Sequence, residues 1–170
     1  KKRRRSDMEG PIRSILVYVD GTEEAITAAQ YSVCLAKSTG ANLYALYVIN
    51  TRALNDLVKA RIFLDSEQEE YHRDLESDAE RYLKHVDKMG SRKGVSVILE
   101  KRSGTVHQEI KKYAEEVDVD LLLIGELSHI RSRRDEFYNE TERAMRLVHC
   151  SVLVVKDEER VWDLYDALPE

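Results

Sequence analysis

The 170-residue chain has little cysteine, little proline and no long apolar run, and each scarcity removes a class of protein. Cys34 and Cys150 are its only cysteines. They are far apart and lack C-x-x-C spacing, so a disulfide scaffold and a zinc site are both excluded, and a reducing, cytoplasmic setting is expected. The five histidines do not cluster. His72 and His85 can share a helix, but thirteen steps of about 100° set them well apart around it, so no metal site is expected. No apolar stretch nears the roughly 20 residues that cross a bilayer. The N-terminal charge run leads into polar sequence, so no signal peptide is expected. A net charge of −5 argues against a general nucleic-acid binder.

What remains suits one soluble domain: 42% hydrophobic residues, 35% charged, seven glycines and two prolines. Strand and helix patterns alternate. Ile15–Val19 is apolar and β-rich and ends at Asp20-Gly21. Thr22 can cap a helix that opens on Glu23 and Glu24, where negative charge suits the dipole. Ile26, Ala29, Val33 and Ala36 recur at helical spacing, and Gly40 fits the stop. Leu43–Ile49 reads as strand two. A charged helical region runs from about Thr51 to Lys88, with a break at Asp65-Ser66. Its second part sets Tyr71, Leu75, Ala79, Tyr82 and Val86 on one stripe, and Gly90 and Gly94 bracket its exit. Val95–Leu99 reads as strand three and Val106–Glu116 as a helix. Val119–Ile124 is the continuous apolar run of a strand buried on both faces. A polar loop, a helix over Asn139–His149 and a strand Val152–Val155 complete the pattern.

This βαβαβαβαβ order predicts a single-domain α/β fold: a five-stranded, mainly parallel, doubly wound (Rossmann-like) sheet with helices on both faces. Residues 1–10 form a basic tail, 11–156 the domain, and 157–170 a tail with a short helix. In such sheets ligands bind beyond the carboxyl ends of the strands, at the topological switch point. That directs attention to Asp20, to Val48–Asn50 and to Gly125.

At these places the sequence resembles the universal stress protein family. Ile15–Thr22 resembles the family's first strand and Asp-Gly-Ser turn. Val117–Gly125 resembles its fourth strand and following glycine, and Val148–Lys156 its closing helix end and strand. The resemblance implies an adenine-nucleotide site, with ATP or AMP as ligand and Mg only alongside a bound nucleotide. By resemblance Asp20, Val48, Ile124, Gly125, Ser128 and Asn139 are the nucleotide-binding positions. ATP-binding members carry G-x-x-G, nine residues and G-[ST], whose glycines let backbone N–H groups approach phosphate. Here Gly125 is the first of those glycines. Ser128 and Tyr138 stand where the next two would be, and Asn139 stands at the Ser/Thr position. The phosphate end is therefore altered.

Each position also has a purely structural reading. Asp20 can simply start a turn, Val48 and Ile124 can be core, and Asn139–Glu142 resembles a capping box. Arg131, Arg133 and Arg134 in the variant loop could hold an anionic ligand by bidentate bonds, or be solvated.

No Walker G-x-x-x-x-G-K-[ST], G-x-G-x-x-G or G-x-S-x-G is present, and His129-Ile130 is not followed by Gly-His, so no enzyme is expected beyond weak ATP hydrolysis. The family resemblance implies a homodimer through the last strand, Val152, Leu153, Val154 and Val155, whose apolar edge invites a mate. The alternative is an edge covered by the C-terminal tail. Lys1–Arg5 reads as a juxtamembrane segment of a transporter-like protein, as a nucleic-acid tail, or as a solvated terminus. Two functions follow: a regulatory domain that binds a nucleotide or small anion to modulate a partner, or a dimeric interaction module without nucleotide.

Overall fold

A computed structural model describes residues 10–60, 65–127 and 139–170. Five strands form one sheet: β1 (Ser14–Val19), β2 (Asn42–Asn50), β3 (Val97–Gly104), β4 (Leu121–Gly125) and β5 (Ser151–Val155). Their order is β3-β2-β1-β4-β5, and every neighbouring pair is parallel. The helices are α1 (Glu23–Thr39), α2 (Thr51–Lys59), α3 (Asp65–Arg92), α4 (Val106–Glu116), α5 (Glu140–Leu147) and α6 (Glu158–Asp166). The doubly wound α/β class read from the sequence is the observed one.

Alternation along β1 sorts the core into two layers. Ile15, Val17 and Val19 face Ala28, Ala29 and Val33 of α1, Val86 and Met89 of α3, and Val161 and Tyr165 of α6. Leu16 and Tyr18 face Val106, Ile110 and Tyr113 of α4 and Ala144 of α5. All six β1 residues are buried, as a central parallel strand requires.

Helix ends follow their signals. Thr22 Oγ1 accepts from the Ala25 N–H at 3.2 Å. Gly40 is left-handed at φ 72°, and its N–H donates to Ala36 O.

Strands one, two and five each extend past expectation by a single residue at one or both ends, and larger differences lie elsewhere. Strand three is not Val95–Leu99 but Val97–Gly104, because hydrogen bonding to β2 carries it to Gly104 opposite Asn50. Its second half is charged and is held by ion pairs instead of apolar burial. Lys101 Nζ lies 2.5 Å from Glu76 and 2.9 Å from Glu80. Arg102 bonds Glu100 at 2.9 Å, pairs with Glu116 and lies 4.6 Å over the Tyr113 ring. Charged side chains on an edge strand also deter pairing with another chain. Strand four is Leu121–Gly125, set by its register against β1 and β5. The expected Asn139–His149 helix shortens to Glu140–Leu147, with Asn139 as its cap. The charged helix runs past Lys88 to Arg92. Its apolar stripe meets the sheet only from Ala79 onward, and Tyr71 is exposed.

No helix among the described residues is long and apolar enough to cross a membrane. The basic run Lys1–Arg5 lies outside the described residues.

Candidate functional site

The carboxyl ends of β1 and β4 lie side by side where the sheet order reverses, and the loops there enclose a cavity of about 80 Å³. Asp20 follows β1 directly. Its Oδ1 accepts from the Thr22 N–H at 3.0 Å and the Thr22 hydroxyl at 2.6 Å. That hydroxyl in turn caps α1, so one relay fixes the turn, the aspartate and the helix start. Gly21, at φ 83°, passes under the Tyr82 ring, where a Cβ would come within 2.6 Å of it. Tyr82 is itself stacked on Tyr47 at 6.2 Å and 5°. The loop after β1 is thus clamped from above by α3.

Gly125 closes the opposite wall. A Cβ there would lie 2.5 Å from the backbone C and O of Glu24 and 2.8 Å from Ala25 N. The close approach that glycine permits is therefore used by the first turn of α1.

Asn139 forms the third side, and its Oδ1 accepts from the Glu142 N–H at 3.0 Å. Next to it, Glu140 reaches across to α4. Its Oε2 accepts from the His107 N–H at 3.1 Å and lies 2.5 Å from His107 Nδ1. Thr105 makes no side-chain cap of its own, so Glu140 caps α4 from outside. The start of α5, and with it Asn139 and Thr141, is anchored to α4. Tyr18 lines the cavity floor. Burial, then the nearby Asp20, push its hydroxyl well above the usual phenol range, so it is a neutral donor at physiological pH.

Of the positions singled out in the sequence, Asp20, Gly125 and Asn139 meet at this cavity. Val48 and Ile124 are buried in the layer beneath α4, at 4% and 0% exposure, and do not line it. Ser128, Arg131, Arg133, Arg134 and Tyr138 lie outside the described residues. Tyr18, Glu24, Glu126, Leu127 and Thr141 also line the cavity but carried no ligand signal in the sequence. Glu24 was legible only as a first-turn acid favourable to the dipole. Among the described residues, no group of three or more His, Cys, Asp or Glu could hold a metal ion.

A parallel doubly wound sheet with a cleft at its switch point defines the open α/β class whose ligand sites lie at that point. Within that class, residues 11–156 match the model of the Universal stress protein family, and the chain belongs to that family. A universal stress protein of Methanocaldococcus jannaschii is 30% identical over 149 residues, covering 87% of this chain and 84% of its own length. Two solved structures share the fold. A universal stress protein family protein from Arabidopsis thaliana with AMP bound has TM-score 0.62 and 13% identity, covering 85% of this chain and 91% of its own. A universal stress protein in complex with cAMP has TM-score 0.61 and 16% identity, covering 85% and 96%.

Proposed function

We propose that this chain is a regulatory, non-enzymatic domain that binds an adenine nucleotide or similar small anion in the β1–β4 cavity and relays occupancy to a partner. The observation that carries this reading is convergence. Asp20, Gly125 and Asn139 come from three separate segments and enclose one cavity at the switch point. Structures of the same fold hold AMP or cAMP, which supports the ligand class. Asp20 is an acceptor for ribose hydroxyls, and Arg131, Arg133 and Arg134 in the next segment of sequence offer forks for phosphate. Mg would enter only with the nucleotide.

Calorimetry with AMP and cAMP tests the reading. Saturable binding to the native chain is expected, weakened about tenfold or more in Asp20→Ala, which is about 1.4 kcal/mol or more. If neither ligand binds, the second reading replaces the first. The observation favouring that alternative is that both helix starts at the cavity are already capped, by Thr22 and by Asn139.

In either reading the chain works as a homodimer joined through β5. This strand pairs only with β4 among the described strands. Val152, Leu153 and Val154 are half-buried along it. Helix α6 packs on α1, in the layer beneath the sheet. Light scattering at micromolar concentration is expected to give twice the chain mass, and a single-chain mass would refute the dimer.

A further inference from the structure

We infer that His107, which does not line the cavity, fixes its third side through Glu140, so that ligand affinity there is set in part from the start of α4. The inference rests on the nucleotide reading above and concerns how that site is held, not which nucleotide it takes.

Asn139 and Thr141 line the cavity, and Glu140 stands between them in sequence. Glu140 reaches α4 instead. Its Oε2 accepts from the His107 N–H at 3.1 Å and lies 2.5 Å from His107 Nδ1. An oxygen that already accepts from the backbone is an acceptor for the ring as well, so Nδ1 carries the hydrogen. Both side chains are nearly buried, at 12% and 15% exposure. With so little water available, the carboxylate depends on these two donors.

The first turn of α5 has little else to hold it. Of the eight residues of this helix only Ala144 is buried, and it sits a full turn beyond Glu140. Arg143 Nη1 comes within 4.0 Å of Glu140 Oε1, but both belong to α5, so that pair does not tie the helix to a neighbour. The Glu140–His107 tie does, and it serves α4 in return. Thr105 gives α4 no side-chain cap, and Glu140 supplies an acceptor to one of its orphan N–H groups. Further along, α4 is held to β3 by Arg102, which pairs with Glu109 at 3.8 Å and with Glu116.

Removing the ring donor leaves a nearly buried carboxylate with one N–H. Such a group regains water by turning outward, and the first turn of α5 moves with it. Asn139 is then drawn away from the Glu142 N–H, now 3.0 Å from its Oδ1, and Thr141 is displaced from the cavity. Coupling of this kind is reciprocal: if the start of α4 sets affinity, occupancy biases the start of α4 by the same factor.

The test compares His107→Leu with His107→Asn in the full chain. The two replacements have nearly the same shape, and only asparagine keeps an N–H donor close to the place of Nδ1. Amide exchange followed by NMR reads the third side without any ligand. In His107→Leu the Glu142 N–H is expected to exchange about tenfold faster or more, the factor implied by losing one bond to a charged group. The Ala25 N–H, capped by Thr22, should keep its native rate. Calorimetry should show AMP affinity falling at least about threefold in His107→Leu and returning in His107→Asn. Glu140→Gln, which keeps the shape and drops the charge, should move both readings in the same direction by less. Native exchange at Glu142 in His107→Leu overturns the inference, and so does AMP affinity unmoved while that N–H exchanges faster. Failure of AMP and cAMP to bind the native chain overturns the nucleotide reading and the claim on affinity with it. Exchange at Glu142 then still decides whether His107 holds the third side.

Discussion

Replacing Gly125 by alanine is expected to lower the unfolding free energy by about 2–3 kcal/mol, and replacing it by valine by more, at the upper end of overpacking costs. The reason is space and not dihedral freedom, since Gly125 is absent from the residues with positive φ. An added Cβ would sit 2.5 Å from the Glu24 carbonyl, which is backbone and cannot rotate aside. The turn it would strike is fixed by the Thr22 cap and by Ala25, Ala28 and Ala29, all at or below 3% exposure. Urea unfolding should show the midpoint fall with the slope unchanged, the signature of lost stability. Gly40→Ala is the control. Nothing lies within 4 Å of a Cβ there, and only the left-handed φ of 72° is disturbed, so a loss of about 1 kcal/mol is expected. If Gly125→Ala were no worse than Gly40→Ala, the tight junction between β4 and α1 would be disproved.

Gly125 also illustrates what a sequence can and cannot reveal about this site. Its position after an apolar strand was legible, and so was the family motif it begins. The atoms it accommodates were not, because Glu24 is a hundred residues away and nothing local encodes their contact. Asn139 was legible both as a motif position and as a cap, and the structure places its side chain on the Glu142 N–H. Strong local signals gave the helix starts, the stop at Gly40 and the alternation of strands and helices along the chain. Long-range charge pairing was invisible. The second half of β3 reads as Glu, Lys, Arg and Ser; it pairs with β2, and its charges are met by Glu76 and Glu80 of α3 and by Glu109 and Glu116 of α4. Glu24 was hidden at the cavity in a similar way, because first-turn acids are ordinary wherever a helix begins.

Cutting the chain after Lys156, where the family match ends, is expected to leave a domain that unfolds or aggregates near room temperature. Helix α6 lies beyond that point, yet it completes the layer beneath the sheet. Val161 is 3% exposed and Tyr165 9%, both packed into the core that holds Val33 and Met89. Burying such side chains contributes about 1.5–3 kcal/mol each.

The far end of α6 is fastened by Lys93, itself only 7% exposed. Its ammonium donates to Leu168 O at 2.8 Å and Asp166 O at 3.3 Å, and lies 5.1 Å over the Tyr165 ring. A cation at the carbonyl end of a helix also meets the negative end of its dipole. The Tyr165 hydroxyl donates to Met89 O at 3.0 Å, tying α6 to α3. Deletion removes all of this and uncovers the layer that α6 covers. The combined loss is about 5 kcal/mol or more, comparable with the whole stability of many domains.

Because aggregation of the truncated chain would leave no reversible transition to measure, Lys93→Met provides the graded measurement. It keeps the apolar stem, removes the charge-assisted bonds, and should cost about 2 kcal/mol. Trp162, the sole tryptophan and located on α6, reports the helix directly by fluorescence. In Lys93→Met its transition should shift to lower urea. A truncated chain whose urea midpoint matches the full chain would show that α6 is an appendage, and that the fold closes at residue 156 without it.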